Sequence, residues 1–175
     1  MIKKIDIVYL DFRKAFDSVP HKRLLIIKLK NYGIDGPLLD WIEDFLTNHR
    51  QRVRVGSAYS SDKPVLSGIP QGGILGPILF TIFINDLPEV ILSACKFFAD
   101  DTKIYWESNN YCTIQKDLDS AQDWSNEWNL YFNVQKCKVL YIGKKNPEVD
   151  YTMNIGDSKE KSTKVHRGKR FGSNI

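Results

Sequence analysis

Cysteine and histidine are scarce in this chain of 175 residues, three of each, and neither type falls into a ligand pattern. Cys95, Cys112 and Cys137 are odd in number, far apart and without a Cys-x-x-Cys pair, and His21, His49 and His166 complete no zinc set with them. A disulfide framework and a structural zinc site are therefore not expected; the thiols read as reduced, in a protein that is not secreted. Long apolar runs are lacking too. The longest segment, Ile74 to Ile84, is interrupted by Gly76, Pro77 and Thr81 and is too short to span a bilayer. Met1-Ile2-Lys3-Lys4-Ile5 runs directly into a strand pattern, so no signal peptide is expected. No Gly-Lys-Ser/Thr follows the glycine-rich stretch, which rules out a Walker loop. Positive charge is also short in the body of the chain. From Ser158 onward six Lys/Arg stand against the single Glu160, a net of +5, so with +4 overall Met1 to Asp157 carries −1. The body alone gives no support to a basic nucleic-acid cleft.

A hydrophobic fraction of 42% and a charged fraction of 26% fit one globular domain with a real core. Ile5 to Leu10 is almost continuously apolar and suits a strand buried on both faces. Asp11 ends it, as a cap, as a turn residue, or as a ligand, because a carboxylate at the end of a buried strand is costly without a partner. Past Phe16, Asp17-Ser18-Val19-Pro20 starts a helix over His21 to Leu29, whose Lys22, Arg23, Lys28 and Lys30 read as a solvated face. Asn31-Tyr32-Gly33 stops it, and Gly36-Pro37 opens another with a core stripe of Leu38, Leu39, Trp41, Ile42, Phe45 and Leu46. Gln51 to Gly56 alternates with period two and Tyr59 to Leu66 returns, a hairpin pattern. Its Arg52 and Arg54 share a face that could meet phosphate, although an exposed edge carrying Arg is the commoner explanation.

Ser67 to Pro77 holds four glycines and two prolines in eleven residues, a loop shape that lets a ligand approach the main chain. An apolar helix carrying Ile78, Leu79, Ile82 and Phe83 follows, and free N–H groups at its start favour anions. Cys95 to Trp106 reads as a hairpin with Asp100 and Asp101 at its tip. Two adjacent carboxylates raise each other's pKa unless positive charge neutralises them, and hard divalent ions prefer such oxygens; Asp is also simply a good turn residue. Ile114, Leu118, Ala121, Trp124, Ser125 and Trp128 then mark a helix packed on a sheet. Leu130 to Phe132 and Lys138 to Ile142 are strand candidates around a polar turn, Asn133-Val134-Gln135-Lys136-Cys137, and from Asn146 onward the periodicity fades.

Taken in order, the motifs Tyr9-Leu10-Asp11-Phe12-Arg13-Lys14-Ala15-Phe16-Asp17-Ser18-Val19-Pro20-His21, Ser67-Gly68-Ile69-Pro70-Gln71-Gly72, Phe98-Ala99-Asp100-Asp101 and Asn133 to Cys137 resemble the palm of non-LTR, LINE-type reverse transcriptases, close to jockey-like elements. The resemblance implies an α/β (α+β) fold: an antiparallel, ferredoxin-like palm sheet, Ile5 to Leu10 beside the Asp-Asp hairpin, helices on one face. It implies a palm over residues 1–145 with a divergent basic tail over 146–175. It also implies RNA-directed DNA synthesis, with two Mg²⁺ ions, or Mn²⁺ in their place, held by Asp11, Asp100 and Asp101. Phe12, Phe16, Gln71 and Gly72 would contact substrate, Phe16 excluding a 2′-hydroxyl, and Lys136 would act as general acid. An RNA template, a DNA primer and dNTP would be the partners, without a membrane and in nucleus or cytoplasm. Gly73 departs from the Ser often found there, and fingers, thumb and endonuclease segments are expected to be missing. The competing expectation is a catalytically silent retroelement relic that at most binds nucleic acid; a nucleotidyl cyclase is disfavoured by the Gln71 loop.

Overall fold

The computed structural model describes residues 4–107, 111–143, 146–154 and 162–167. The elements along the chain are β1 (Ile5–Leu10), α1 (Ala15–Ser18), a π-helical segment (Arg23–Leu29), α2 (Gly36–Thr47), β2 (Arg50–Gln51), β3 (Arg54–Val55), β4 (Ala58–Tyr59), β5 (Lys63–Pro64), α3 (Leu75–Ile84), a 3₁₀ turn (Leu87–Val90), β6 (Ala94–Phe98), β7 (Asp101–Glu107), α4 (Tyr111–Trp128), β8 (Lys138–Ile142), β9 (Thr152–Asn154), β10 (Ser162–Lys164) and β11 (His166–Arg167). They fall into two compact units, one formed by 1–13 with 85–175, the other by 14–84.

The first unit is built on a five-stranded sheet of order β11-β8-β1-β7-β6. β1 lies at its centre, antiparallel to both β7 and β8, and β11 joins β8 in parallel. The sheet has the antiparallel palm character expected. Side chains alternate along β1: Asp6, Val8 and Leu10 are buried with Ile104, Val139 and Tyr141, under Ile114, Leu118, Ala121 and Trp124 of α4. Ile5, Ile7 and Tyr9 point the other way and are half-buried, like Tyr105, Leu140 and Ile142. The expectation of a strand buried on both faces is therefore corrected to one, because α4 covers only one side of the sheet. Asp6 is the exception within that core. It is fully buried, and its carboxylate accepts hydrogen bonds from Tyr151 Oη at 2.7 Å and Asn146 Nδ2 at 2.6 Å, which removes the cost of burying it. Two glutamines of α4 reach β9 in the same manner. Gln115 accepts from Thr152 N and donates to its carbonyl oxygen, and Gln122 does so with Asn154.

Helix stripes in the second unit are narrower than the sequence suggests. α2 buries Leu39, Ile42 and Leu46 but leaves Leu38 and Trp41 exposed. α3 buries Leu79, Phe80, Phe83 and Ile84, while Ile78 stays exposed, so this strongly apolar helix is covered on one side only within its unit. In the π-helical segment Leu24, Leu25, Lys28 and Leu29 are buried and Ile27 is exposed. The i→i+5 bonding gives a wider turn than an α-helix, so the face assigned from a 3.6-residue period is misplaced. Lys28 consequently points inward, its ammonium 5.7 Å from the centre of the Phe83 ring.

The three thiols differ sharply in environment. Burial pushes Cys95 up to about 11, with the Asp117 charge adding to it. Burial also pushes Cys137 up to about 11, although the Asp11 backbone N–H works against the shift. Cys112 is exposed. Iodoacetamide near pH 8 is therefore expected to alkylate Cys112 and to spare Cys95 and Cys137 until the chain is unfolded, as read by peptide mass spectrometry. Rapid labelling of Cys137 in the native protein would contradict its burial.

Candidate functional site

Strand register places the first unit's carboxylates. β1 pairs Leu10 with Thr102 on one side and Tyr9 with Lys138 on the other. Asp11, the next residue, thus emerges where β7 begins and where the turn before β8 ends. The hairpin closes by pairing Phe98 with Asp101, so Ala99 and Asp100 form a two-residue turn, with Ala99 in the left-handed region at φ 53°. Asp100 lies in the turn, half-buried, and Asp101 opens the strand, exposed.

The segment after α4 completes the arrangement. Arg13 N donates to Tyr131 O and Asn133 N to Asp11 O, both at 2.7 Å, and Phe12 forms an antiparallel bridge with Phe132. The polar turn then folds on Asn133, whose carbonyl accepts from Lys136 N at 2.8 Å and from Cys137 N at 3.2 Å. Lys136 is carried to within 3.8 Å of Asp11, Nζ to Oδ1. A cleft of about 430 Å³ opens here, lined by Asp11, Asp101 and Lys136 with Tyr9, Leu10, Gln135 and Lys138. Asp11 is raised above the ordinary carboxylate range. Burial is the main cause, Lys136 opposes it, and the Asp100 and Asp101 charges add to it. The three acids therefore sense one another, yet among the described residues no three Asp, Glu, His or Cys side chains come close enough to enclose a metal ion.

Phe12 is 3% exposed. Its ring stacks on Phe132 at 4.5 Å and leans on Trp124 at 6.4 Å, so it belongs to the core beneath Asp11 and not to the cleft wall.

In the second unit the Asp17 motif and the glycine-rich loop are laced together. Gly68 N donates to Val19 O and Ile69 N to Phe16 O, Ser67 Oγ donates to Asp17 O, and Gln71 Nε2 donates to Asp17 Oδ1 at 3.2 Å. Phe16, half-buried, stacks on Phe80 with ring centres 4.5 Å apart. Gly72 is exposed at φ 95° with open space around it. Gln71 and Gly68 line a cleft of about 870 Å³ that also takes in Lys14, Asp17, His49, Gln51 and Pro64. His21, the first residue of the helix expected over His21 to Leu29, has a contact that its neighbours in sequence do not announce. It is buried, and its Nε2 lies 2.6 Å from Gly68 O; since a carbonyl only accepts, that nitrogen carries the proton. A polar ring directly after Pro20 and ahead of a buried helix was the available signal.

The model of the reverse transcriptase (RNA-dependent DNA polymerase) family matches residues 2–166. Among curated proteins, the chain is 33% identical over 143 residues to an RNA-directed DNA polymerase from mobile element jockey of Drosophila melanogaster, covering 74% of this chain and 15% of the relative. A probable RNA-directed DNA polymerase from transposon BS of the same fly is 32% identical over 145 residues, with 74% and 15% covered. One from transposon X-element is 31% identical over 140 residues, with the same shares. The chain thus spans about 15% of the length of these relatives. No helix among the described residues is long and apolar enough to cross a membrane. With four motifs in order, a palm-like antiparallel sheet and a family match over nearly its whole length, the chain belongs to the reverse transcriptase (RNA-dependent DNA polymerase) family, among relatives from non-LTR mobile elements.

Proposed function

We propose that this chain is the palm region of an RNA-directed DNA polymerase, which joins a dNTP to a primer 3′-OH opposite an RNA template. The observation that carries the reading is the register of β1 between β7 and β8, which gathers Asp11, Asp101 and Lys136 around one cleft with Asp100 in the adjoining turn. The donor set suits hard divalent cations, since it offers only carboxylate oxygen and its mutual repulsion calls for added positive charge. Asp11, Asp100 and Asp101 would hold two Mg²⁺ ions, or Mn²⁺, whose charge would stabilise the attacking and leaving oxygens. The chain's own groups do the rest. Lys136, its side chain 67% exposed beside Asp11, is free to swing toward a departing pyrophosphate and give it a proton. Phe16, fixed by Phe80, would stand against a ribose 2′-hydroxyl. Gln71 and Gly72 would bound the nucleotide pocket, Gln71 held by Asp17. Phe12 contributes by propping Asp11 from below through its stacked ring. These parts lie within residues 1–145, and Asn146 and Tyr151 tie the following segment to Asp6.

Primer extension on an RNA template, with the Asp100→Ala, Asp101→Ala double variant beside the wild type, tests the reading. Incorporation that depends on Mg²⁺ or Mn²⁺ and vanishes in the double variant is expected. Equal incorporation by both proteins, or none by the wild type when the rest of a jockey-type polymerase is supplied in trans, would sink it.

A further inference from the structure

Between α2 and the glycine-rich loop the chain runs out into a ribbon that the proposed chemistry does not use. β2 pairs with β5 and β3 with β4, antiparallel. Val65 N to His49 O and Ser60 N to Val53 O, each 2.9 Å, continue the ladder between and below them. Every residue from 47 to 64 is exposed. Such a projection makes no core, yet its composition is far from neutral filler. Arg50, Arg52, Arg54 and Lys63 stand against Asp62 alone, a net of +3, on a chain whose first 157 residues sum to −1. The arm thus carries a local excess of positive charge on a segment that is exposed throughout. Two of the arginines are held in place: the Arg52 and Arg54 guanidinium carbons lie 4.4 and 5.4 Å from the centre of the Tyr59 ring. Arg54 Nε also donates to Gly56 O at 2.9 Å. No acidic side chain on the arm neutralises them by an ion pair. Around them Val53 is 66%, Val55 75% and Tyr59 51% exposed.

We propose that this ribbon is a strand-binding arm that takes unpaired nucleic acid, the template ahead of the primer terminus, through its backbone phosphates. The proposal deepens the polymerase reading and rests on it for the identity of the strand. Arginines fixed on an aromatic ring meet phosphate oxygens without losing further side-chain freedom. The exposed valines and tyrosine fit a strand whose bases are unstacked, whereas a duplex turns mainly phosphate and sugar outward. The location agrees with this use. Gln51 and Pro64, at the base of the ribbon, line the same cleft as Gln71 and Gly68, so a strand lying along the arm is led toward the glycine-rich loop.

Fluorescence anisotropy with a labelled oligouridylate of roughly 15 nucleotides, near the size of one strand site, tests the arm without nucleotide or divalent metal. Arg50, Arg52 and Arg54 all changed to Gln should weaken binding at least about tenfold at low salt. The salt slope should flatten by about 2, at about 0.7 per neutralised phosphate on a single strand. The corresponding triple Lys variant should restore the slope, and Tyr59→Leu should weaken binding with the slope unchanged. An unaltered slope in the Gln variant would overturn the proposal. So would a loss reproduced only when Lys159, Lys161 and Lys164 of the basic tail are neutralised. A blunt RNA–DNA duplex that loses as much affinity as the single strand would overturn the assignment to unpaired template, and equal displacement by polyglutamate of matched charge would point to an acidic protein instead. Binding and extension fail separately: a chain that binds through the arm but extends no primer even with the rest of a jockey-type polymerase supplied in trans refutes the polymerase reading and leaves the arm standing.

Discussion

Replacing Asp11 by asparagine is expected to cut primer extension by about 10³-fold or more, the scale lost when charge stabilisation is removed from a transition state. The same change is expected to leave the fold as stable as before, or slightly more so. Burial and the nearby Asp100 and Asp101 charges all work against an ionised Asp11, and only Lys136 favours it. The amide has the same shape without the charge, so it escapes those costs while losing one ion pair. The Asp11 side chain is 30% exposed and that of Lys136 67%; water screens these interactions, and the net change should stay within about 1 kcal/mol. A melting curve and an extension assay on the same preparation check both halves. Activity within tenfold of wild type would remove Asp11 from the chemistry, and a large loss of stability would mark it as a structural residue.

The largest effect on stability is expected at Gly68. Its φ is +92°, and an added Cβ would lie 2.8 Å from the Asp17 Cα and carbonyl oxygen, main-chain atoms held in turn by Ser67. Neither partner can rotate away. Gly68→Ala should cost about 3 kcal/mol or more in urea unfolding, as the sum of left-handed strain and a displaced loop. Gly72 supplies the comparison. It has a similar φ of +95° but open space around it, so Gly72→Ala should cost only about 1 kcal/mol, the conformational part alone. Equal losses at the two positions would show that the Asp17 contact matters little.

What was readable in the sequence was local. The six-residue run of β1, the hairpin around Asp100 and Asp101, the stripe of α4 and strand β8 each announce themselves within a few residues, and the structure has all of them. The palm sheet was expected from the motif resemblance, and the structure has it with β1 between β7 and β8. What was hidden depends on partners far along the chain. Nothing near Asp6 says that its carboxylate is taken by Asn146 and Tyr151, so periodicity faded from Asn146 onward although Tyr151 and Met153 are buried in the core. His21 is similar, since its acceptor is Gly68 O, 47 residues away. The misplaced face of Arg23–Leu29 has a different cause: the hydrogen-bond pattern changed the period, which residue types alone do not encode. Phe12 was expected at the substrate from the motif resemblance, but two consecutive residues on an extended chain face opposite ways, and its side is the core.

The two glutamines of α4 carry a consequence for solution behaviour. A three-residue strand such as β9 would ordinarily offer one bare edge once β10 has taken the other, and a bare edge recruits strands from other molecules. Gln115 and Gln122 occupy the donor and acceptor of Thr152 and of Asn154, while β10 pairs with the opposite side. A side-chain amide repeats the geometry of a peptide group, so the helix counterfeits a neighbouring strand and quenches the edge as a template for cross-β growth.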